Sequence, residues 1–351
     1  MSAYVGRLAP SPTGALHLGN VRTFMIAWLR ARSQGGKVVF RMEDLDHPKD
    51  KPDAAGQAVE DLRWLGFDWD EEHVQSRRTA LYRAALESLR HPDAPGDADS
   101  RSAVPLAYPC ACSRKDVEAA QSAPHVGEQL HYPGTCRGRF GTWEEACAFK
   151  AAHSGQSLPA SPCWRFRVPE RAVISFDDAF CGPVVQDVSR VLGDFPLARE
   201  ASGAGYTLAC TVDDLLMGVT EVVRGDDLLA ATPAQILLAQ KLLPRLGQAF
   251  RSLGAAFGPL PSRTRPPAYL HVPLVVGADG RRLAKRHGDT RIARFREGGM
   301  SAQEILGLLA ASCGWAQPGE RVSLPDLIPR FDLATIPRQP FVLKDGRLGA
   351  R

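Results

Sequence analysis

Residues 7–20, RLAPSPTGALHLGN, bring two prolines, two glycines, a histidine and an asparagine together within reach of the amino terminus. A strand that turns sharply through Pro10, Pro12 and Gly14 and enters a helix near His17 presents backbone N–H groups and a positive dipole end at its exit. Phosphates bind such a place readily. Gly14 and Gly19 would let a nucleotide come close, and His17 and Asn20, one helical turn apart, would face a triphosphate together. Taken alone, the same string also reads as a proline turn, a helix cap and a satisfied histidine. A second segment, GRRLAKRHGD at 280–289, carries Arg281, Arg282, Lys285 and Arg286 on a glycine-bearing turn after an expected strand. By itself it is a solvated basic loop. Paired with the first segment it reads as a mobile clamp for transition-state charge on phosphates, where losing one donor costs about 10²–10³ in rate.

A third group is sulfur-based. YPCACSRK and HYPGTCRG supply Cys110, Cys112 and Cys136 as thiolates, one ligand short of a tetrahedral zinc site. The spacing is unlike common zinc fingers, so buried free cysteines are the competing reading, and His131 is an orthodox nearby donor. Cys147, Cys163, Cys181, Cys210 and Cys313 lack comparable grouping and read as small core residues. Eight cysteines in 351 residues are too sparse for a disulfide scaffold.

The elements that must hold these groups follow from the pattern. With 44% hydrophobic residues the chain can build a full core and more than one domain. No basic stretch followed by an apolar run opens it, and no run of about eighteen apolar residues occurs, so a cytoplasmic protein without a membrane partner is expected. A net charge of +4 permits a nucleic-acid partner without requiring one. The stretches YVGRLA, VRTFMIAWLRARSQGG and KVVFRMEDLD, then a helix over about 53–65, give β-α-β-α order and a parallel sheet. Residues 91–105 read as a surface loop. Residues 108 to about 140 break the rhythm like an insertion. YTLACTVDDLLMGVTEVVRG reads as two β-rich runs around a short turn or helix, and TPAQILLAQKLL as a helix. Beyond the basic loop the chain is expected to be helical to Gly314 and then irregular. The expected organisation is a Rossmann-type first half over 1–107, an insertion over 108–195, a second half over 196–275, and the basic loop with a short helical region over 276–351.

PSPTGALHLGN resembles the HIGH signature of class I aminoacyl-tRNA synthetases, and RRLAK with Arg286 resembles their KMSKS loop. RLAPSPTGALHLGN, FRMEDLD and VVRGDDLL are similar, more narrowly, to the glutamyl-tRNA synthetase branch, over about residues 4–300. Asn20 stands where the signature has its last histidine, Arg282 replaces the first lysine of the second motif, and Ala284 replaces its serine. Lys285 keeps the phosphate-binding position, so weakened loop contacts and retained activity are expected.

The resemblance implies an α/β class I catalytic domain that activates L-glutamate with ATP and Mg²⁺. It assigns glutamate binding to Arg7, Ala9, Ser11, Glu43, Tyr206 and Arg224. ATP binding goes to Pro12, Thr13, Gly14, His17, Gly19, Asn20 and Lys285, with His17, Asn20 and Lys285 in catalysis. Chemistry agrees: arginine forks carboxylates, and a carboxylate holds an ammonium. Without the resemblance, a structural ion pair is the competing reading for Glu43 and Arg224. Asp44, Asp46, Asp213, Asp214, Asp226 and Asp227 are expected to be caps or structural partners. The resemblance also names Tyr132 as fourth ligand of one structural zinc ion, through the YPGTC string.

Glutamyl-tRNA synthetases carry a helical anticodon-binding domain after the KMSKS loop, and about sixty-five residues beyond Lys285 are too few for one. The shortened pattern is similar to the glutamyl-queuosine tRNA(Asp) synthetase family, which attaches glutamate to the cyclopentenediol of queuosine in the anticodon loop of tRNA(Asp). A monomer is expected. The alternatives are a minimal glutamyl-tRNA synthetase charging a 3′ end, a small-molecule nucleotidyltransferase, and a non-catalytic RNA-binding paralogue.

Overall fold

The structure, a computed structural model, describes residues 3–12, 15–45, 53–91, 104–120, 130–153, 161–199, 203–250, 253, 264–281, 283, 290–344 and 347–348. The first half runs β1 (Val5–Leu8), α1 (Leu18–Arg32), β2 (Lys37–Met42), α2 (Ala54–Trp64), β3 (Glu71–Val74) and α3 (Thr79–Arg90). β1, β2 and β3 are parallel neighbours in that order, with Val5 opposite Lys37 and Val39 opposite Glu71. Buried on both faces, β2 reads as an apolar run rather than an alternation.

The middle of the chain gives β4 (Ala107–Cys110), α4 (Arg114–Ala120), α5 (Trp143–His153), β5 (Cys163–Phe166), β6 (Val173–Asp178), β7 (Gly182–Asp187), α6 (Val188–Val191) and β8 (Pro196–Ala198). β4, β5 and β8 form a separate antiparallel sheet. The rest comprises α7 (Tyr206–Leu216), β9 (Glu221–Gly225), α8 (Thr232–Ala249), β10 (Ala268–Val272), β11 (Val275–Gly277), α9 (Ile292–Glu297), α10 (Ala302–Ala311), α11 (Leu324–Leu327), β12 (Phe341–Lys344) and β13 (Arg347–Leu348). A second sheet runs β7-β6-β10-β9, parallel except for the β6–β7 hairpin.

The two main sheets meet where β1 lies beside β9. Thr220 N–H donates to Val5 O at 2.8 Å, and Val5 N–H to Thr220 Oγ1 at 2.9 Å. The strand sequence is therefore 3-2-1 and then 9-10-6. It reverses direction of growth between β1 and β9, the switch point at which open α/β sheets bind ligands beyond the strands' carboxyl ends.

Two local readings change. YTLAC is helical, as the start of α7. Eight consecutive residues of α7, Leu208–Leu215, are buried, so the helical period vanishes and the run imitates a strand. The Pro-rich tail is not wholly irregular, because Phe341–Lys344 form β12, parallel to β11. One apolar core joins α1, β2 and α2 to α10 and α11 through Met25, Phe40, Leu62, Ile305 and Leu324. A second joins α3, β5, α7 and α8 through Leu86, Phe166, Leu208 and Leu238. Among the described residues no helix is long and apolar enough to cross a membrane.

A polar knot ties α7 to α3 and to the turn just before it. Fully buried Asp213 accepts from Arg78 Nε at 2.8 Å, Gln75 Nε2 at 3.0 Å and Tyr82 Oη at 2.7 Å. Asp213→Ala would strand a buried guanidinium, which costs about 3–5 kcal/mol. A urea titration should show that loss; a change under about 1 kcal/mol would mean that solvent relieves Arg78.

Candidate active site

A cavity of about 530 Å³ opens at the carboxyl ends of β1 and β9, within the range of small-molecule sites. Arg7, Ala9 and Ser11 line it from the exit of β1, and His17, Gly19 and Asn20 from the start of α1. Glu43 enters after β2, Tyr206 from the first position of α7, and Arg224 from β9. Nine sequence-predicted residues thus share one wall. Pro12 is buried but does not line the cavity. Thr13, Gly14 and Lys285 lie outside the described residues, as do Asp46, Arg282, Ala284 and Arg286. Asp227, read from sequence as a cap or structural partner, also lines the cavity.

His17 is the N-cap of α1. Its Nδ1 accepts from Gly19 N–H at 3.1 Å and Asn20 N–H at 3.4 Å, while Asn20 Oδ1 accepts from His17 N–H at 3.3 Å. With Nδ1 accepting, the neutral ring carries its proton on Nε2. Position 19 tolerates no larger residue comfortably, since a Cβ there would stand 3.0 Å from His17 Cε1. The chain after the basic loop is fastened to the same cap: Leu18 N–H donates to Thr290 O at 3.1 Å and Ile292 N–H to Leu16 O at 2.9 Å. On the near side, Leu283 is buried in the first core and Val275 lines the cavity. The far flank of residues 284–289 is therefore tied to the α1 cap, and Leu283 on the near flank is held in the core.

Beneath the cavity, the fully buried Arg41 donates from Nη1 to Asp214 Oδ1 at 2.6 Å and from Nη2 to Glu43 Oε1 at 2.9 Å. Cys210 Sγ donates to the same Glu43 oxygen at 3.1 Å, and Glu43 Oε2 stands 3.5 Å from Ser11 Oγ. Glu43 is thus both half of an ion pair and a cavity carboxylate, one oxygen for each. Arg7 gives Nη1 to Val223 O at 2.9 Å. Its Nε is buried with no hydrogen-bond acceptor among the described residues, its counter-charge being Asp214 Oδ1 at 3.9 Å.

Arg224 is held more fully. Nε donates to His271 Nε2 at 3.0 Å, Nη2 to Thr232 Oγ1 at 2.7 Å, and Nη1 points to Tyr206 Oη at 3.5 Å. His271 Nδ1 lies 2.7 Å from Asp178 Oδ2. Burial works against the Asp178 charge, but His271 and the N–H groups of Cys181 and Phe180 outweigh it and hold the carboxyl below its usual range. Burial, with the Arg224 charge behind it, pushes the His271 imidazolium down despite Asp178. Sequence reasoning missed Arg41, His271, Asp178 and Thr232. The buried polar letters inside FRMED and LHVPL were the available signal.

The cysteine triad also assembles. The sulfurs of Cys110, Cys112 and Cys136 lie within 4.8 Å of one another, and Cys112 and Cys136 are 3.5 Å apart. Tyr132 Oη sits 3.3 Å from Cys110 Sγ and 3.8 Å from Cys112 Sγ, whereas His131 Nε2 engages Ser189 O at 3.2 Å. Zinc with Zn–S near 2.3 Å places tetrahedral ligand atoms about 3.8 Å apart, so this donor set fits the ion. Arg165 Nε donates to Cys110 Sγ at 3.2 Å, with its guanidinium 3.8 Å from the Tyr132 ring centre. Hydrogen bonds from Cys112, Cys136 and Cys163, with the Arg165 charge, push the Cys110 thiol down toward the thiolate.

Residues 4–252 match the family model for the catalytic domain of class I tRNA synthetases, E and Q. The glutamyl-Q tRNA(Asp) synthetase of Rhodopirellula baltica is 42% identical over 98% of this chain and 98% of its own length. That of Symbiobacterium thermophilum is 44% identical over 95% and 94%. The chain belongs to the glutamyl-Q tRNA(Asp) synthetase family. It is a ligase-type enzyme of class I. A glutamate tRNA ligase from Elizabethkingia meningosepticum, solved with its amino acid, shares the fold at a TM-score of 0.69 and 23% identity, with 97% of this chain and 67% of that one covered.

In this family member, acidification should loosen the Arg224 support. The depressed His271 value means that below about pH 6.5 the unfolded chain takes up a proton the folded site refuses, so stability falls as pH falls. Urea titrations between pH 7.5 and 5 should show that slope, and His271→Gln should flatten it. An equal slope in both proteins would count against a neutral buried imidazole.

Proposed function

We propose that the chain activates L-glutamate with ATP and transfers it to the cyclopentenediol of queuosine in the anticodon loop of tRNA(Asp). The observation that carries this reading is the convergence of Arg7, Glu43 and Arg224 with the α1 N-terminus in one cavity. Two guanidinium groups suit two carboxylates, and the Glu43 carboxylate suits an ammonium. The first turn of α1 and His17 suit the phosphates of ATP. The names of relatives aligned almost end to end with this chain support this acceptor.

In the first step the glutamate α-carboxylate attacks the α-phosphorus of ATP in line, and pyrophosphate leaves. In the second a queuosine hydroxyl attacks the activated carbonyl, and AMP leaves. No protein nucleophile is needed, since positioning and charge stabilisation lower the barrier. His17 and Asn20 would hold the nucleotide at the cap, and Lys285 would bring its ammonium to the phosphates. Mg²⁺ would accompany ATP and screen phosphate charge. Zinc would be held by Cys110, Cys112, Tyr132 and Cys136 as a closed structural site bracing the segment that meets the RNA. The catalytic domain would receive an anticodon stem-loop at the face that meets a tRNA acceptor end in glutamyl-tRNA synthetases, so this reading requires no separate anticodon-binding domain.

Labelled glutamate, ATP and Mg²⁺ with tRNA from queuosine-containing and queuosine-lacking cells decide the acceptor. Labelling confined to the first pool, and abolished by periodate oxidation of the diol, is expected; equal labelling would mean 3′-end charging. Arg224→Ala should reduce kcat/KM for glutamate in ATP–pyrophosphate exchange by about 10²–10³ or more, the scale of an unpaired carboxylate. A near-wild-type rate would misplace the pocket. Cys136→Ser should lower zinc content by metal analysis and lower the melting temperature, and unchanged stoichiometry would remove Cys136 from the ligand set.

A further inference from the structure

Arg224 reaches the cavity from a place where nothing but its neighbours can aim it. It is 5% exposed, and His271, Asp178 and Thr232 behind it are all buried. A guanidinium has five N–H donors and no acceptor, so a group 3.0 Å from its Nε must offer a lone pair. The ring nitrogen of His271 offers one only when the imidazole proton sits on Nδ1. Asp178 compels that tautomer: its Oδ2 stands 2.7 Å from Nδ1. The carboxylate cannot swing away, because Oδ1 accepts from Phe180 N–H at 3.0 Å and Cys181 N–H at 2.7 Å. Both carboxylate oxygens also stand 3.2 Å from the His271 backbone N–H.

The chain Asp178–His271–Arg224 therefore crosses three neighbouring strands, β6, β10 and β9, and ends at the cavity. With Nε taken by His271 and Nη2 by Thr232, Nη1 is the guanidinium nitrogen directed to Tyr206 on the cavity wall. We propose that His271, oriented by Asp178, is a positioning residue for the amino-acid substrate, fixing which edge of Arg224 faces the cavity. It touches neither nucleotide nor amino acid. A second donor at Nε2 would set N–H against N–H and turn the guanidinium. This inference rests on glutamate being the substrate read above.

The test is ATP–pyrophosphate exchange with the full chain, with glutamate and ATP varied separately. His271→Phe keeps the ring volume and removes the acceptor, His271→Gln restores an amide oxygen, and Asp178→Asn keeps shape while removing the charge that sets the tautomer. His271→Phe should raise KM for glutamate about tenfold or more, the scale of one charge-assisted hydrogen bond, with KM for ATP within about twofold. His271→Gln should recover part of the loss, and Asp178→Asn should fall between. Folded His271→Phe protein with an unchanged glutamate KM, or with both KM values rising together, would overturn the assignment. If neither His271 variant folds, ¹⁵N NMR of the wild-type histidine decides: an Nδ1–H tautomer supports it, an Nε2–H tautomer or an imidazolium defeats it. Wild-type protein with no glutamate-dependent exchange would remove the substrate reading itself, a result distinct from active protein with indifferent variants.

Discussion

Keeping several guanidinium groups out of water is the constraint on which this architecture turns. Arg7, Arg41, Arg78 and Arg224 are all buried around one end of the main sheets. Each would cost several kcal/mol if left unpaired. Partners come from different parts of the chain: Glu43 after β2, Asp213 and Asp214 on α7, and Asp178 acting through His271. Only Arg41 has a partner on its own segment, Glu43, and it too needs the distant Asp214. The helix α7 carries two of the required carboxylates, and its apolar residues pack into the second core, so nearly every side of it is buried. Such pairing is a poor source of net stability. It is a good source of direction, because each guanidinium is fixed at one edge and can present another to a ligand.

The outline of this arrangement was legible in the sequence where local rules govern. The proline turn, the cap at His17 and the β-α-β-α rhythm are short-range features, and α1 begins where the capping logic puts it. Eight of the nine cavity residues lie in the motifs that carry the resemblance, and the ninth, Tyr206, came from the resemblance without a motif of its own. What was hidden depends on distant partners. Asp178 precedes His271 by 93 residues and Arg41 precedes Asp214 by 173, and nothing local to either residue announces the other. The helical identity of YTLAC was hidden for a related reason: burial on all sides erases the periodicity by which a helix is recognised.

The sulfur cluster shows the same division. Three cysteines drew notice through their grouping in YPCACSRK and HYPGTCRG, but which of His131 and Tyr132 stands nearer them depends on where two adjacent side chains turn. Alternation along the chain sends them apart, Tyr132 Oη to the thiols and His131 Nε2 to the Ser189 carbonyl. Arg165, whose charge favours thiolate beside it, comes from β5, whose Cys163 pairs with Cys110 across the antiparallel ladder. Sequence motifs name ligands more readily than the counter-charges that tune them.

The parallel pairing of β12 with β11 sets the true extent of the working unit. Phe341 N–H bonds Leu274 O at 2.9 Å, and Leu274 and Val275 form part of the cavity wall. The stretch that matches the family model stops at residue 252. A piece cut at that boundary would lack β10, with His271, as well as the wall contributed by Leu274 and Val275 and the strand that braces it. The family model and the packing draw different borders on this molecule, and relatives aligned over 98% of the chain side with the packing. Chimaeras that exchange the catalytic core with a relative would have to carry the last strands along with the first.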